Sequence, residues 1–204
     1  MRVLVALMRR LHAVGELLVQ EKNRVQAPGQ PAVVLESLQT SIAFLEGEVK
    51  RLQKQIRDHI NQNPGLKRDA KLLESIPGVG ELTAWDILAE LPDVSQFDSA
   101  QSVAAYAGLA PREHRSGSSV RKQTRLSKQG NWRLRKALYF PAVTALTWNP
   151  SVKAHYERLR EAGKPRMVAL AACMRKLLMI VYGVLKHQTP FDPAWNSQAQ
   201  ATPS

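Results

Sequence analysis

Cysteine is nearly absent from the 204 residues: Cys173 stands alone, which excludes a disulfide framework and any zinc site built from several thiolates. The five histidines, at 12, 59, 114, 155 and 187, never recur at i,i+4 or beside a carboxylate in a ligand pattern, so no metal site is expected. No apolar run reaches the ~20 residues of a membrane span; the best stretch, Met167 to Leu185, carries Arg175 and Lys176 in its middle. The apolar start is cut short at Arg9 and Arg10, before the ~7–15-residue core of a signal peptide is complete. A cytoplasmic protein with no membrane partner is therefore expected. GxxxxGK, GxGxxG and HExxH are missing as well, which leaves nucleotide hydrolysis and zinc-protease chemistry without support.

Acidic residues are scarce too: 17 Asp and Glu face 29 Lys and Arg, a net charge of +12. An excess of this size points to a polyanionic partner, above all nucleic acid. Its position is informative. Between Arg112 and Lys136 lie nine bases (Arg112, Arg115, Arg121, Lys122, Arg125, Lys128, Arg133, Arg135 and Lys136) and one acid, Glu113, so this segment holds +8 of the +12. A concentrated basic stretch suits neutralisation of backbone phosphates, although a solvated basic loop has the same composition.

What remains is helical in rhythm. Leu4, Leu7, Leu11, Val14 and Leu18 are spaced 3-4-3-4, and after the break Ala27-Pro28-Gly29-Gln30-Pro31 the series Leu35, Leu38, Ile42, Leu45, Val49, Leu52 and Ile56 continues that spacing. The pattern predicts an antiparallel coiled-coil hairpin over 1–62, open either to self-association or to packing on its own chain. The Asn63-Pro64-Gly65 stop ends it. Further helices are expected over 66–76, 81–91, 99–107, 131–146, 151–162 and 165–186, within a compact helical domain spanning 63–191. The expected fold class is all-α, with a loop between Gly108 and Gly130 and a polar, disordered tail over 192–204.

Within 66–91, Ile76-Pro77-Gly78-Val79-Gly80 joins two short amphipathic helices and resembles a helix-hairpin-helix turn. Gly78 and Gly80 would let the backbone approach a phosphate, with the amides of the second helix donating to it; a plain helix connection with a glycine cap would look the same. Glu81, just after the turn, favours the helix dipole but repels a phosphate. Farther on, Arg112-Glu113-His114-Arg115-Ser116-Gly117-Ser118-Ser119-Val120-Arg121 is a hydroxyl-rich loop among arginines. Its serines can position a phosphate, or one can attack it if nearby cations stabilise the alkoxide and the charge building on phosphorus. His114 is a candidate base for Ser116 or a phosphate contact. Trp132 either stacks on a base or anchors its helix, and Cys173 reads as core.

The run AGLAPREHRSGSSVRKQTRLSKQGNWRLRKALYFPA closely resembles the C-terminal domain of a bacterial insertion-sequence transposase family. Its members pair an N-terminal RuvC-like domain with a C-terminal serine domain and use a bridge RNA for targeting. The resemblance continues through LLESIPGVGELTA and KPRMVALAACMRKLLMIVYGVLKHQTPFD and covers nearly the whole chain. It implies that Ser116, the serine before glycine in Pro-x4-Ser-Gly, is a recombinase nucleophile that becomes joined to DNA. Arg112, Arg115, Gly117, Ser118, Ser119, Arg121, Lys122, Arg125, Lys128, Arg133 and Arg135, with Gly78 and Gly80, are the expected nucleic-acid contacts. DNA, a guide RNA and a second copy of the chain are the expected partners. The family's acidic domain, expected to hold Mg²⁺, has no counterpart in these residues, so no cofactor is expected here and an N-terminally truncated transposase is. The alternatives are a non-catalytic nucleic-acid-binding and dimerisation module, or an inactive remnant.

Overall fold

The computed structural model describes residues 2–112, 115–116, 120–121, 125–127 and 129–193; for the paired residues between 112 and 125 it describes the backbone alone. The chain divides into two compact units, 1–67 and 68–204. Among the described residues the regular elements are helices, apart from two short β-pairs described below.

The first unit holds α1 (Arg2–Val25) and α2 (Ala32–Gln62), which pack on each other across the Pro-Gly turn. Gly29 turns the chain at φ +80, a conformation that costs glycine nothing. The apolar stripe of α1 runs through Leu4, Met8, Leu11 and Val14, so Met8 occupies the buried place that the heptad spacing gives to Leu7, which is half-buried. A straight helix of 3.6 residues per turn drifts off a 3.5-residue repeat, and one register step of this kind is the result. On α2 only Leu52, Ile56 and Ile60 are buried; Leu35, Leu38, Ile42, Leu45 and Val49 are half-buried. Lys22 and Glu46 bridge the two helices at 2.7 Å, and the ammonium holds the Glu46 carboxyl below its ordinary range.

Helix α3 (Pro64–Glu74) carries the boundary between the units. The second unit continues with α4 (Glu81–Glu90), a 3-10 turn (Val94–Gln96) and α5 (Ala100–Tyr106). After the basic segment come α6 (Trp132–Ala137), α7 (Tyr139–Trp148), α8 (Pro150–Glu161) and α9 (Arg166–His187). The helix expected over 131–146 is two helices. Pro141 lacks the N–H that would bond the carbonyl of Ala137, and its ring crowds that carbonyl, so α6 ends there and α7 starts afresh.

Local chemistry sets the other ends. Ser99 and Ser102 exchange backbone hydrogen bonds in a capping box on α5. At the end of α8, Gly163 takes φ +75, with its amide on the Arg160 carbonyl and the Lys164 amide on that of Leu159; this is a Schellman stop, followed by Pro165. Helix α9 is the core of the unit. By length and composition it could cross a membrane, but 56% of that stretch is buried in the protein. Leu177, Leu178 and Val181 are fully buried, as are Leu73, Ile76, Ile87 and Leu138 from the surrounding helices. Each such side chain contributes about 1.5–3 kcal/mol of burial. Cys173 is also buried, its thiol directed at the Val152 carbonyl at 3.8 Å, in keeping with a core role. Beyond α9 the chain folds back on α3: the Phe191 amide donates to Ser75 Oγ at 2.8 Å and Gln188 Nε2 to Asp69 Oδ1 at 3.1 Å. Positions 194–204 of the expected tail lie outside the described residues.

Candidate nucleic-acid interface

The basic segment leaves α5 at Gly108 and returns at Gly130, and its two ends are tied together. Gly130 sits at φ +133 with its Cα face against the Tyr106 carbonyl, 2.2 Å from where a Cβ would lie. The Asn131 amide then donates to that same carbonyl at 2.7 Å. The Asn131 side chain works in both directions. Its Oδ1 accepts from the amides of Arg133 and Leu134 at 3.0 and 3.1 Å, capping α6, and its Nδ2 donates to the backbone oxygen and to Oε2 of Glu90, each at 3.0 Å. Tyr106 completes the joint by donating to the Glu90 carbonyl at 3.3 Å. A cap alone satisfies amides that the helix leaves unpaired; this one also fastens the start of α6 to the ends of α4 and α5.

Between these ends the described residues pair as an antiparallel ribbon. Strands β1 (Pro111–Arg112) and β4 (Arg125–Leu126) pair, and inside them β2 (Arg115–Ser116) and β3 (Val120–Arg121) pair. Ser127 extends the ladder with a 3.0 Å bond from its amide to the Ala110 carbonyl. The loop expected there carries these short pairs, and the all-α fold class stands. Two-residue strands are too short to show an alternating pattern in sequence. Ser116 is opposite Val120, next to the tip, while Arg112 opposes Arg125 and Arg115 opposes Arg121. Gly117, Ser118, Ser119, Lys122, Lys128 and His114 lie outside the described residues.

The remaining sequence candidates fall in different places. Arg133 is exposed, its guanidinium 4.8 Å from the centroid of the Trp132 ring, in the range of a cation–π contact. Trp132 itself is 51% exposed, so it does not anchor α6 in the core; Leu134, fully buried, does that. Arg135 is half-buried and donates from Nη1 to the Ala107 carbonyl at 2.8 Å, so this nitrogen belongs to the ribbon's anchorage rather than to an open surface. Gly78, at φ +102, presses against α7: a Cβ there would lie 2.9 Å from the Ala145 Cβ and from the Pro141 carbonyl. The turn is braced further by Asn149, which is fully buried, caps α8 through Val152, and reaches the Pro77 carbonyl at 3.5 Å. Gly80 has open space around its Cα, and Val79 between the glycines is buried.

Sequence reasoning missed Asn131, Glu90, Tyr106 and Asn149 as positioning residues. For the two asparagines a signal existed, since each directly precedes a helix in the place an N-cap takes. For Glu90 and Tyr106 there was none, because their role depends on a contact with a distant residue.

These features define a class: a basic, helical protein that displays an arginine-rich ribbon from a hydrogen-bonded joint. Residues 70–157 match the family described as Transposase IS116/IS110/IS902 family, and in this segment the chain is similar to those transposases. It is 36% identical over 190 residues to the pilin gene-inverting protein of Moraxella bovis, covering 93% of this chain and 58% of that protein. To the IS110 43.6 kDa protein of Streptomyces coelicolor it is 27% identical, covering 90% of this chain and 44% of that one. A third relative, the transposase of insertion sequence IS1111A from Coxiella burnetii, is 41% identical over 80 residues, covering 38% of this chain and 21% of that one. The chain thus spans about half the length of the first relatives it matches.

Proposed function

We propose that this chain is the serine-bearing, DNA-binding part of an insertion-sequence transposase, with Ser116 as the nucleophile of strand cleavage and exchange. The observation that carries the reading is the ribbon. Its pairing sets Ser116 beside the tip of a rigidly anchored, highly basic element, and two of its four pairs put arginine opposite arginine. Like charges at paired positions oppose each other, and a phosphate between them relieves that cost. The names of the relatives, transposases and a gene-inverting protein, fit a reaction that breaks and rejoins DNA.

In this reading the Ser116 Oγ bonds to phosphorus while the bond from phosphorus to one sugar oxygen breaks. The serine proton departs and the leaving sugar oxygen takes one up. The arginines hold the phosphate and balance the charge that grows on it. Arg112, Arg115, Arg121, Lys122, Arg125 and Lys128, with the amides and hydroxyls of Gly117, Ser118 and Ser119, grip the DNA around the serine, and Arg133 extends this grip along α6. Residues 66–91 act as a helix-hairpin-helix and α1–α2 as a coiled coil through which two copies join, while a bridge RNA directs the complex. Among the described residues no three His, Cys, Asp or Glu side chains gather as metal ligands. By the family resemblance, Mg²⁺ would be held by the acidic domain of full-length members, and no step here runs through it.

The test is a covalent adduct. The chain, supplied with the acidic domain in trans and with labelled DNA of an insertion-sequence end, is quenched in detergent and resolved by electrophoresis. A labelled band at the protein's mass plus DNA, absent from Ser116→Ala, is the expected result. No band from the unaltered chain, or an equal band from Ser116→Ala, overturns the assignment.

A further inference from the structure

A second cationic site lies away from the ribbon, between α8 and α9. It is a cavity of about 670 Å³, and His155 and Arg158 of α8 meet Arg175 and Lys176 of α9 in its wall. Positions 155, 158 and 159 share one face of α8, and 172, 175, 176, 179 and 183 share one face of α9, so the helical repeat alone brings these groups together. Their charge is not balanced. Among the described residues no carboxylate lies within ion-pair distance of Arg158, Arg175 or Lys176. The one acid among the lining residues, Asp192, stands against three bases, Arg158, Arg175 and Lys176. The Arg175 Nε–H is buried without a hydrogen-bond partner.

Arg158 Nη2 lies 3.1 Å from His155 Nδ1. The guanidinium can only donate, so Nδ1 accepts and the imidazole keeps its proton on Nε2. Burial, then Lys176 and Arg158, hold the His155 imidazole below its ordinary pKa. Burial and then Arg158 do the same to the Lys176 ammonium. Arg175 and Lys176 are half-buried and Arg158 is exposed beside them; half-buried cations that repel one another are costly unless an anion joins them.

Most of the rest of the wall is apolar, with Leu159, Met179, Ile180 and Phe191, and Tyr182, His187, Thr189 and Asp192 add polar groups to it. A cation-rich side facing an apolar side matches one unit of a nucleic-acid strand, its phosphate against Arg158, Arg175 and Lys176 and its base against the hydrocarbon and Phe191. The volume falls within the ~300–1,000 Å³ of ordinary ligand cavities, enough for one unpaired nucleotide and too little for a duplex. We infer that the α8–α9 cavity is a binding site for a single-stranded nucleic-acid segment, entered by one nucleotide. None of its residues belongs to the 107–136 segment, so this site stands or falls independently of the ribbon and of Ser116.

The whole chain carrying ¹⁵N-labelled histidine is titrated with pentathymidylate or with inorganic phosphate while the His155 ring signals are followed. A saturable shift with pentathymidylate is expected, with affinity about tenfold weaker in the R158Q/K176Q double variant. The slope of log affinity against log salt should drop by about 0.7, as the loss of one phosphate contact on a single strand requires. In K153Q, a lysine on α8 outside the cavity, the shift should persist. Circular dichroism checks that the double variant is folded, and K176Q alone replaces it if it is not. His155 signals that stay still at millimolar strand overturn the inference, because a strand held only by the ribbon would leave them unmoved. So does a response to phosphate that the strand does not improve, or equal affinities in R158Q/K176Q and K153Q.

Discussion

Asn131 donates from one nitrogen to both the backbone oxygen and the carboxylate of Glu90, at 3.0 Å each, across 41 positions of sequence. The same side chain caps α6 with its oxygen. Replacing it with alanine removes the cap and the tie together. A lost cap costs about 1 kcal/mol and a lost hydrogen bond to a charged group about 1.5–3 kcal/mol. Asn131→Ala is therefore expected to lower unfolding stability by roughly 2–3 kcal/mol in a denaturant titration. Asn131→Asp keeps the cap but sets a carboxylate beside Glu90, so it should recover stability only when the pH is lowered enough to protonate one of the pair.

Gly130 tests the other half of the joint. A methyl group there would meet the Tyr106 carbonyl at 2.2 Å, and φ is +133. Neither problem is relieved by moving a flexible side chain, so Gly130→Ala is expected to cost more than about 3 kcal/mol. The readout is the denaturant midpoint, together with loss of amide protection at Asn131, whose hydrogen bond to Tyr106 would break. A loss under about 1 kcal/mol would show that the ribbon is not fastened in this way.

If the basic segment contacts backbone phosphates as proposed, DNA binding should depend steeply on salt. With about six contacts on a duplex, affinity falls on the order of a thousandfold between 50 and 200 mM salt. Arg133→Gln should weaken binding equally for unrelated sequences and reduce the salt slope by about one, since a phosphate contact reads no bases. Fluorescence anisotropy at several salt concentrations measures both. A flat salt response would remove the basic segment from the interface.

Cys173 offers a pH test of the core. Burial pushes its thiol up to about 11 from an ordinary value near 9. At pH values between these, the unfolded chain has lost the proton and the folded chain retains it. Stability is therefore complete below pH 9 and falls as the pH rises toward 11. Cys173→Ala should flatten that part of the profile. Iodoacetamide at pH 8 should label the protein only after unfolding, because the thiolate is the reactive form.

The helices were legible in sequence because each buries one face at a regular period, and Pro64, Gly163 and Pro165 mark several of their ends. The division of 131–146 was legible in principle, since Pro141 forbids a continuous helix, but the periodicity of Leu134, Leu138, Ala142 and Ala145 runs across the break and conceals it. The concentration of charge at 112–136 could be counted directly. The ribbon could not be read, because its strands are two residues long and its pairing depends on the joint at Glu90, Tyr106 and Asn131. The α8–α9 cavity was hidden for a related reason: His155 and Arg158 are separated from Arg175 and Lys176 by a turn, and only packing brings them together.

The two glycines of the 77–80 turn look equivalent in sequence and do different things. Gly78 has φ +102, and a Cβ there would lie 2.9 Å from the Ala145 Cβ and the Pro141 carbonyl of α7, whereas a Cβ on Gly80 would meet nothing within 4 Å and the backbone there is ordinary extended chain. Gly78→Ala must push α7 away or strain the turn, and should cost roughly 2–4 kcal/mol. Gly80→Ala should leave stability within about 0.5 kcal/mol. It can therefore report on binding alone. The new methyl group would stand at the N-terminus of α4, the end of a helix that suits a phosphate. If the turn holds DNA, Gly80→Ala should weaken affinity severalfold with no change in the denaturant midpoint. If affinity is unchanged, the pair is a packing device for α7, and the grip on DNA rests on the ribbon and α6.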